Sequence, residues 1–476
     1  MKKIFLLISL TILILSCNEG PIENTEPSSD SSIKQFQFIG DANGKFDNPA
    51  VPTQVENFFY ITIPKDTDIK TLIPKFTVHE KATVNSLGKD IVSEQSSIDC
   101  SGKTVKMTIK AENGQTRTLE LVVKIGDQTF DQKVYEFMKT YTIPGISISV
   151  IKNRNTIYSY GYGFANKNTK ERMTNKHLLR LASVSKQFTS ICVMSLVQDG
   201  KFSIDQPLFG PEGLLGEKYA DVTGKAATVT ARNFLQHNSG WTSNPDPMFT
   251  NAFDGHTLDE LIDYMLGRIE IAGYKCEMVT NPGTKYSYYN LGFGVLQKLI
   301  EKYSGKPYEE YLREIMAKAG LNDVWVGKGY EERRKNESVC YSQSGTNGYA
   351  NEMDVIAAAG GVIASSYEMM TLLTKVDRRT DIPDILSKEI LDEMYTPSPV
   401  YSRYGLGWRV GHPLFPDAHY HSGNIAGTAT LWTSETSNGV GGAILCNSRS
   451  YIDGFDDSLY ILLSDLVTHN WNSWSY

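Results

Sequence analysis

Ser183 and Lys186 stand three residues apart in the stretch Leu181-Ala182-Ser183-Val184-Ser185-Lys186-Gln187-Phe188-Thr189. At the start of a helix, that spacing puts both side chains on one face, one turn apart. A hydroxyl next to an amine is a nucleophile next to a base, provided that burial keeps the amine partly neutral. The bare Ser-x-x-Lys pattern also occurs at Ser31/Lys34, Ser86/Lys89 and Ser149/Lys152. Those pairs fall in a polar tether, a β-rich segment and a strand. Only Ser183 opens a helix with an apolar run behind it (Phe188, Ile191, Cys192, Leu196). Other chemistries have less support. No HExxH or CxxC occurs, and apart from His419-x-His421 the histidines are scattered, so no metal is expected. Gly-x-Ser-x-Gly is absent, which excludes a nucleophile elbow. Nothing in the pattern asks for a cofactor.

The elements that must position this pair begin near residue 127. Pro144-Gly145 introduces Ile146, Ile148 and Val150, and Asn153-Arg154-Asn155 turns the chain into a second strand ending near Tyr162. Capped helices follow, with capping boxes at Thr257/Glu260 and Ser365/Glu368. Residues 421–433 and 439–447 read as strands again. Strands first, helices in the middle and strands last predict an α+β domain over 127–476, whose antiparallel sheet is built from both chain ends and flanked by helices, with a mostly helical subdomain.

Residues 33–126 have period-two patterning instead. Val105, Met107 and Ile109 alternate with polar residues, as do Leu119, Leu121, Val123 and Ile125. Parity across Asn113-Gly114 rules out a two-residue loop, which would put the two apolar faces on opposite sides. A three-residue loop pairing Ile109 with Leu119 and Met107 with Leu121, with Gly114 left-handed, keeps them together. Phe59–Ile63 and Phe76–Val78 read as further strands. About seven short strands suit a small all-β, immunoglobulin-like sandwich. It carries no catalytic constellation, so a spacer or a module for a glycan or protein partner is expected.

The chain has 476 residues, 41% hydrophobic and 21% charged, with a net charge of −7. That is globular composition, and the acidic balance gives no support to nucleic-acid binding. Lys2 and Lys3 precede an apolar run from Ile4 to Leu15, a secretory signal over 1–16 too short to span a bilayer. Ile14-Leu15-Ser16-Cys17 resembles the lipobox of bacterial lipoproteins, which implies acylation of Cys17 and anchoring in the lipid bilayer. Loss of the two signal lysines leaves a mature chain at −9, so acyl chains rather than charge would hold it there. Residues 17–32 carry four acids, two prolines and four serines with no basic residue, and read as a disordered tether. The expected location is an outer-membrane lipoprotein, on the periplasmic face or the cell surface. Past Cys17, five cysteines remain, an odd number, so at least one is free or externally paired.

The Ala-Ser-Val-Ser-Lys-Gln-Phe-Thr stretch resembles the active-site helix of the serine β-lactamase and penicillin-binding-protein superfamily, in particular its class C-related branch of esterases and D-amino-acid peptidases. The resemblance runs in order through residues 133–450. It takes in Leu235-Gln236-His237-Asn238-Ser239-Gly240, Pro282-Gly283 with Tyr286-Ser287-Tyr288-Tyr289-Asn290, Gly360–Ser365, Tyr404-Gly405-Leu406-Gly407-Trp408 and His421-Ser422-Gly423. Tyr349-Ala350-Asn351 also fits Tyr-x-Asn but lacks the preceding Pro-Gly.

The resemblance implies roles. Ser183 is the nucleophile and Lys186 its base. Tyr288, made acidic by the nearby ammonium, shuttles the proton to the leaving group. Asn290 hydrogen-bonds the substrate amide, and His421 and Gly423 border the substrate. The backbone N–H groups of Ser183 and Asn424 form the oxyanion hole. His237 holds its loop. The third motif departs from the family, where lysine usually comes first as a fixed cation. A neutral His421 still donates a hydrogen bond but attracts an anionic substrate less. Hydrolysis of ester or amide bonds in small-molecule or peptide substrates of D-amino-acid type is therefore expected ahead of β-lactam or D-Ala-D-Ala carboxypeptidase action. A non-catalytic surface binder is the other class, disfavoured because Ser183, Lys186, Tyr288 and Asn290 are all intact. Specificity is expected from loops 205–232, 241–256 and 325–350.

Overall fold

The computed structural model describes residues 26–471 except 45, 47, 65, 103, 344, 346 and 380. Cys17 and the signal segment lie outside the described residues. Two compact units are present: one formed mainly by residues up to Lys124, the other mainly by Ile125 onward.

In the first unit, strands Ile33–Phe38 and Pro74–Val78 pair antiparallel. In a larger sheet, Val105–Lys110 lies between Thr116–Ile125 and Thr83–Ser86. The described strands of this all-β region divide two and six, where an immunoglobulin constant domain divides four and three. The hairpin keeps the expected parity but not the expected partners. Met107 pairs with Leu119 and Ile109 with Arg117. The loop is Glu112-Asn113-Gly114, closed by Ala111 N–H to Gln115 O at 2.8 Å, and Gly114 has φ +87°. In three-residue hairpin loops the left-handed residue comes last, so Gly114 ends the loop instead of centring it, and the partner strand slips by two. The tether is tied down earlier than its composition suggests: Ser28 O accepts the Asn113 N–H at 3.0 Å, and Ser28 N–H donates to Glu112 at 3.1 Å.

In the second unit, α1 (Gln128–Tyr141) leads into β1 (Gly145–Lys152) and β2 (Asn155–Asn166), with a short β3 (Glu171–Arg172). Asn153 and Arg154 both have positive φ, as a tight hairpin between β1 and β2 requires. Then come α2 (Ser185–Gln198) and α3 (Leu291–Ser304), followed by β4 (Arg409–His412), β5 (Phe415–Ile425), β6 (Thr428–Thr433), β7 (Val440–Cys446) and α4 (Phe455–Thr468). The sheet order is β3-β2-β1-β7-β6-β5-β4, antiparallel throughout, and the β1/β7 pair joins the two chain ends. β1 is buried on both faces. On the Val150 side, Leu466 of α4 sits where a Cβ on Gly442 would be, 2.7 Å away. On the other side, Ser147 and Ser149 both meet Ser366 Oγ at 2.8 Å, which seats the helix Ser366–Leu373. The result is the expected α+β layout, an antiparallel sheet flanked by helices with a mostly helical subdomain.

Two local expectations change. Residues 421–433 form a hairpin, broken at Ala426-Gly427, where Gly427 has φ +70°. The Thr257/Glu260 capping box is complete, but at Ser365 only half forms. The Glu368 carboxylate instead accepts the N–H groups of Asn322 (3.1 Å) and Asp323 (2.8 Å). Cys100, Cys192, Cys276, Cys340 and Cys446 are all free thiols.

α2 is buried on every side from Ser185 to Leu196 and so forms the axis of the helical part. β5 runs against the turn that precedes it. A Cβ on Gly423 would lie 2.3 Å from Leu181 O and 2.9 Å from Ala182 Cβ. Gly423→Ala is expected to force β5 off this turn and destabilise the domain by about 1–3 kcal/mol, read as a lower urea midpoint.

Candidate active site

Ser183 lies in a 3₁₀ turn, Ala182–Val184, that runs directly into α2. Between Leu181 and Ser190 it is the one residue not buried. Ala182 before it has φ +48°, a strained conformation for a residue with a Cβ, held by the packing around it. Lys186, one turn on, is fully buried. Its Nζ lies 3.3 Å from Ser183 Oγ, 2.7 Å from Asn290 Oδ1 and 2.7 Å from the Ala359 carbonyl. Burial pulls its pKa well below the usual lysine value; Asp246 opposes this and Arg409 adds to it.

Tyr288 and Asn290 come from the loop entering α3. Lys186 Nζ is 4.8 Å from the Tyr288 ring centroid. The phenol is not acidified. Burial pushes its pKa well up, with Ser183 the main group pulling the other way. Its hydroxyl is buried and makes no hydrogen bond of normal length among the described residues. Asn290 is held from both ends: Oδ1 faces Lys186, and Nδ2 donates to Asp246 Oδ2 at 2.6 Å. Asn290 lines the cleft, and one N–H of its amide group is left over by these contacts.

His421 also departs from expectation. Neighbouring residues of a strand face opposite ways. Ser422 and Asn424 of β5 line the cleft, while His421 is fully buried behind it. Hydrogen-bond partners fix its tautomer. Tyr289 N–H donates to His237 Nδ1 at 3.1 Å, so the neutral ring carries its proton on Nε2, 3.2 Å from the Tyr404 hydroxyl. Tyr404 then donates to His421 Nε2 at 2.9 Å, and His421 Nδ1–H donates to Ser422 O at 2.6 Å. Burial drives both imidazoles well below their usual pKa. Neither ring nitrogen of His421 is left for a substrate. His237 holds the loop as expected, its carbonyl accepting Ser287 N–H at 2.7 Å. His419 packs against Tyr395, ring centroids 4.4 Å apart, and burial lowers its pKa to about 4.

Three participants were not legible in the sequence. Ala359 lies in a π-helical turn, Ala357–Gly361, whose small residues let its carbonyl reach Lys186. Asp246 lies in the 241–256 loop, with Oδ1 also accepting Met248 N–H at 3.0 Å. Arg409 follows the Tyr404–Trp408 segment, in which Gly407 (φ +77°) passes close to Lys186 O and Ser190. The Arg409 guanidinium lies 5.9 Å from the ring centroids of both Tyr288 and Tyr404, and its Nε is buried with no partner among the described residues. Ser183, Asp246, Phe249, Tyr288, Asn290 and Arg409, with Ser422 and Asn424 of β5, line one cleft of about 500 Å³.

Against known proteins, the profile of the family described as Beta-lactamase matches residues 130–465, more than half of the chain. The chain belongs to the beta-lactamase family. Among curated relatives, it is 24% identical over 324 residues to the putative penicillin-binding protein PbpX of Bacillus subtilis, covering 66% of this chain and 72% of the relative. It is also 24% identical to penicillin-binding protein 4* of the same organism, covering 58% and 62%. Among solved structures, the octameric penicillin-binding protein homologue from Pyrococcus abyssi superposes with a TM-score of 0.57 at 26% identity, over 71% of this chain and 75% of that one. A D-amino acid amidase from Ochrobactrum anthropi SV3 shares the fold, with a TM-score of 0.56 at 22% identity, over 72% and 99%.

The buried imidazoles make stability pH-dependent in a defined direction. Below about pH 6.5 the unfolded chain protonates His237, His419 and His421 while the fold keeps them neutral. The unfolded state then binds more protons, so stability falls as pH falls, by up to about 1.4 kcal/mol per pH unit for each such imidazole. Calorimetry is expected to show Tm dropping from pH 7 to pH 5, and less steeply in His419→Gln. A Tm that is flat over that range would count against neutral imidazoles.

Proposed function

We propose that the protein is a serine hydrolase that cleaves ester or amide bonds of small-molecule or peptide substrates, of D-amino-acid type, through an acyl-enzyme on Ser183. The observation that carries this reading is the coordination of Lys186. A neutral amine has two N–H bonds and one lone pair. The Asn290 and Ala359 oxygens, each at 2.7 Å, take the two N–H bonds, which leaves the lone pair for the Ser183 hydroxyl at 3.3 Å. Desolvation favours that neutral form.

In acylation, Ser183 Oγ bonds to the substrate carbonyl carbon as its proton passes to Lys186 Nζ. The backbone N–H groups of Ser183 and Asn424, both on the cleft, receive the oxyanion; one such donor is typically worth about 3 kcal/mol. Tyr288 keeps its proton at rest. It hands that proton to the leaving group as the acyl bond breaks and recovers one from the Lys186 ammonium. Water then enters by the reverse route, its proton passing to the same base, and the acid product leaves.

A second reading, action on β-lactams or D-Ala-D-Ala peptides, is favoured by Arg409. A guanidinium on the cleft suits a carboxylate and supplies the charge that His421 lacks. For the rest of the chain, the sequence supports a lipoprotein anchored through acylated Cys17, in the outer membrane on its periplasmic or external side, with the β module offered to a glycan or protein. Among the described residues no helix is long and apolar enough to cross a membrane.

Ser183→Ala is expected to abolish turnover with Tm nearly unchanged. Intact mass after a fluorophosphonate probe should show one adduct in the wild type and none in the variant. Blockade of that adduct by penicillin would select the second reading; labelling that penicillin leaves untouched would select the esterase or amidase. For the anchor, Cys17→Ala is expected to move the protein from the membrane fraction to the soluble fraction.

A further inference from the structure

We propose that Asp246 is a positioning residue which, by fixing which way the Asn290 amide faces, aims the lone pair of Lys186 at Ser183. The inference rests on the hydrolase reading and goes beyond it. An asparagine amide has nearly the same shape in either orientation, but a flip exchanges an acceptor for two donors. With Oδ1 toward Lys186, the amide takes one amine N–H. Flipped, it would present Nδ2, which would claim the lone pair and leave Ser183 facing an N–H instead of a base.

The Asp246 carboxylate forbids the flip. Its Oδ2 is 2.6 Å from Asn290 Nδ2, and a flipped amide would set two oxygens against each other at that distance. The carboxylate itself is fixed, since its Oδ1 accepts the Met248 N–H at 3.0 Å within its own loop. No ion pair to Asp246 is found among the described residues, so its donors come from Asn290 and the loop backbone.

Asp246 also carries charge. The groups facing Lys186 are Asp246 from the loop, Arg409 from β4, the neutral Tyr288 and Asn290 before α3, the neutral imidazoles His237 and His421, Ser183 on its own turn and the Ala359 carbonyl. Asp246 is the one anion in this set. Removing its charge disfavours the ammonium, so the acid limb of the acylation profile should move to lower pH.

The test is the second-order rate of fluorophosphonate labelling of the full chain against pH, for the wild type, Asp246→Asn and the double exchange Asp246→Asn/Asn290→Asp. In Asp246→Asn the side chain at 246 has the same shape, but its NH₂ tolerates the flipped Asn290. The plateau rate is expected to fall roughly tenfold to a hundredfold, the cost of a misaimed catalytic group. The acid limb should move to lower pH. In the double exchange, an oxygen faces Lys186 whichever way the carboxylate introduced at position 290 turns. The plateau should recover above that of Asp246→Asn, and the acid limb should move above that of the wild type because the anion is now adjacent to the amine. Recovery of the plateau is not something a merely structural role for Asp246 produces, because the exchange protein still carries the Asp246→Asn change. The proposal is overturned if Asp246→Asn labels at the wild-type plateau, or if the exchange recovers nothing. If the exchange protein does not fold, the plateau of Asp246→Asn decides alone, and a plateau equal to that of the wild type overturns the proposal. Absence of labelling in the wild type, or labelling that survives Ser183→Ala, would defeat the hydrolase reading instead.

Discussion

The site depends on an amine held out of water. Lys186 has no exposed surface, and in place of a counter-ion in contact it has two uncharged oxygens. Desolvating an ammonium that way is costly, and the least costly response is to lose the proton. Much of the surrounding structure enforces this. α2 is buried all round, the π-turn brings a backbone carbonyl to it, and Gly407 lets the Tyr404–Trp408 segment close over its backbone. A solvated lysine in the same rotamer would be a cation next to a serine and could not take its proton.

The second consequence concerns positive charge. The third motif puts a histidine where a fixed cation is usual, and the fold makes that histidine part of a dry chain from Tyr289 through His237 and Tyr404 to Ser422. The chain ties the Tyr-x-Asn loop to β5, so its work is to fix two cleft walls relative to each other. The cleft's cations are instead Arg409, which arrives on β4, and Arg449.

What the sequence disclosed follows from how far each signal reaches. Ser183 and Lys186 are one helical turn apart, and Tyr288 and Asn290 sit in a short motif, so residue type and spacing alone bring each pair together. Asp246, Ala359 and Arg409 meet them across long stretches of chain through a loop, a backbone carbonyl and a strand, none of which has a local pattern. Alternation in β5 was legible, but not which of its faces is dry, so His421 was placed on the wrong wall. The hairpin of the first unit makes the same point. Parity fixed which faces agree, but the position of Gly114 within the loop, which sets the partner of Met107, is a matter of turn geometry. At Ser365 the Glu368 side chain turns away from the cap to two backbone N–H groups elsewhere.

The pairing of β1 with β7 has a consequence for how the protein comes into being. Ile148 meets Ile444 in the register, so the central pair of the sheet closes a loop that contains nearly the whole domain. Contacts that distant in the chain form late and slowly. A ribosome that has made the nucleophile turn, both helices beside it and the Tyr-x-Asn loop has still not made the strand against which β1 must lie. Until Cys446 has emerged, the chain has its reactive serine but not the β1/β7 pair that completes the sheet. Activity then appears only once synthesis of the domain is all but finished.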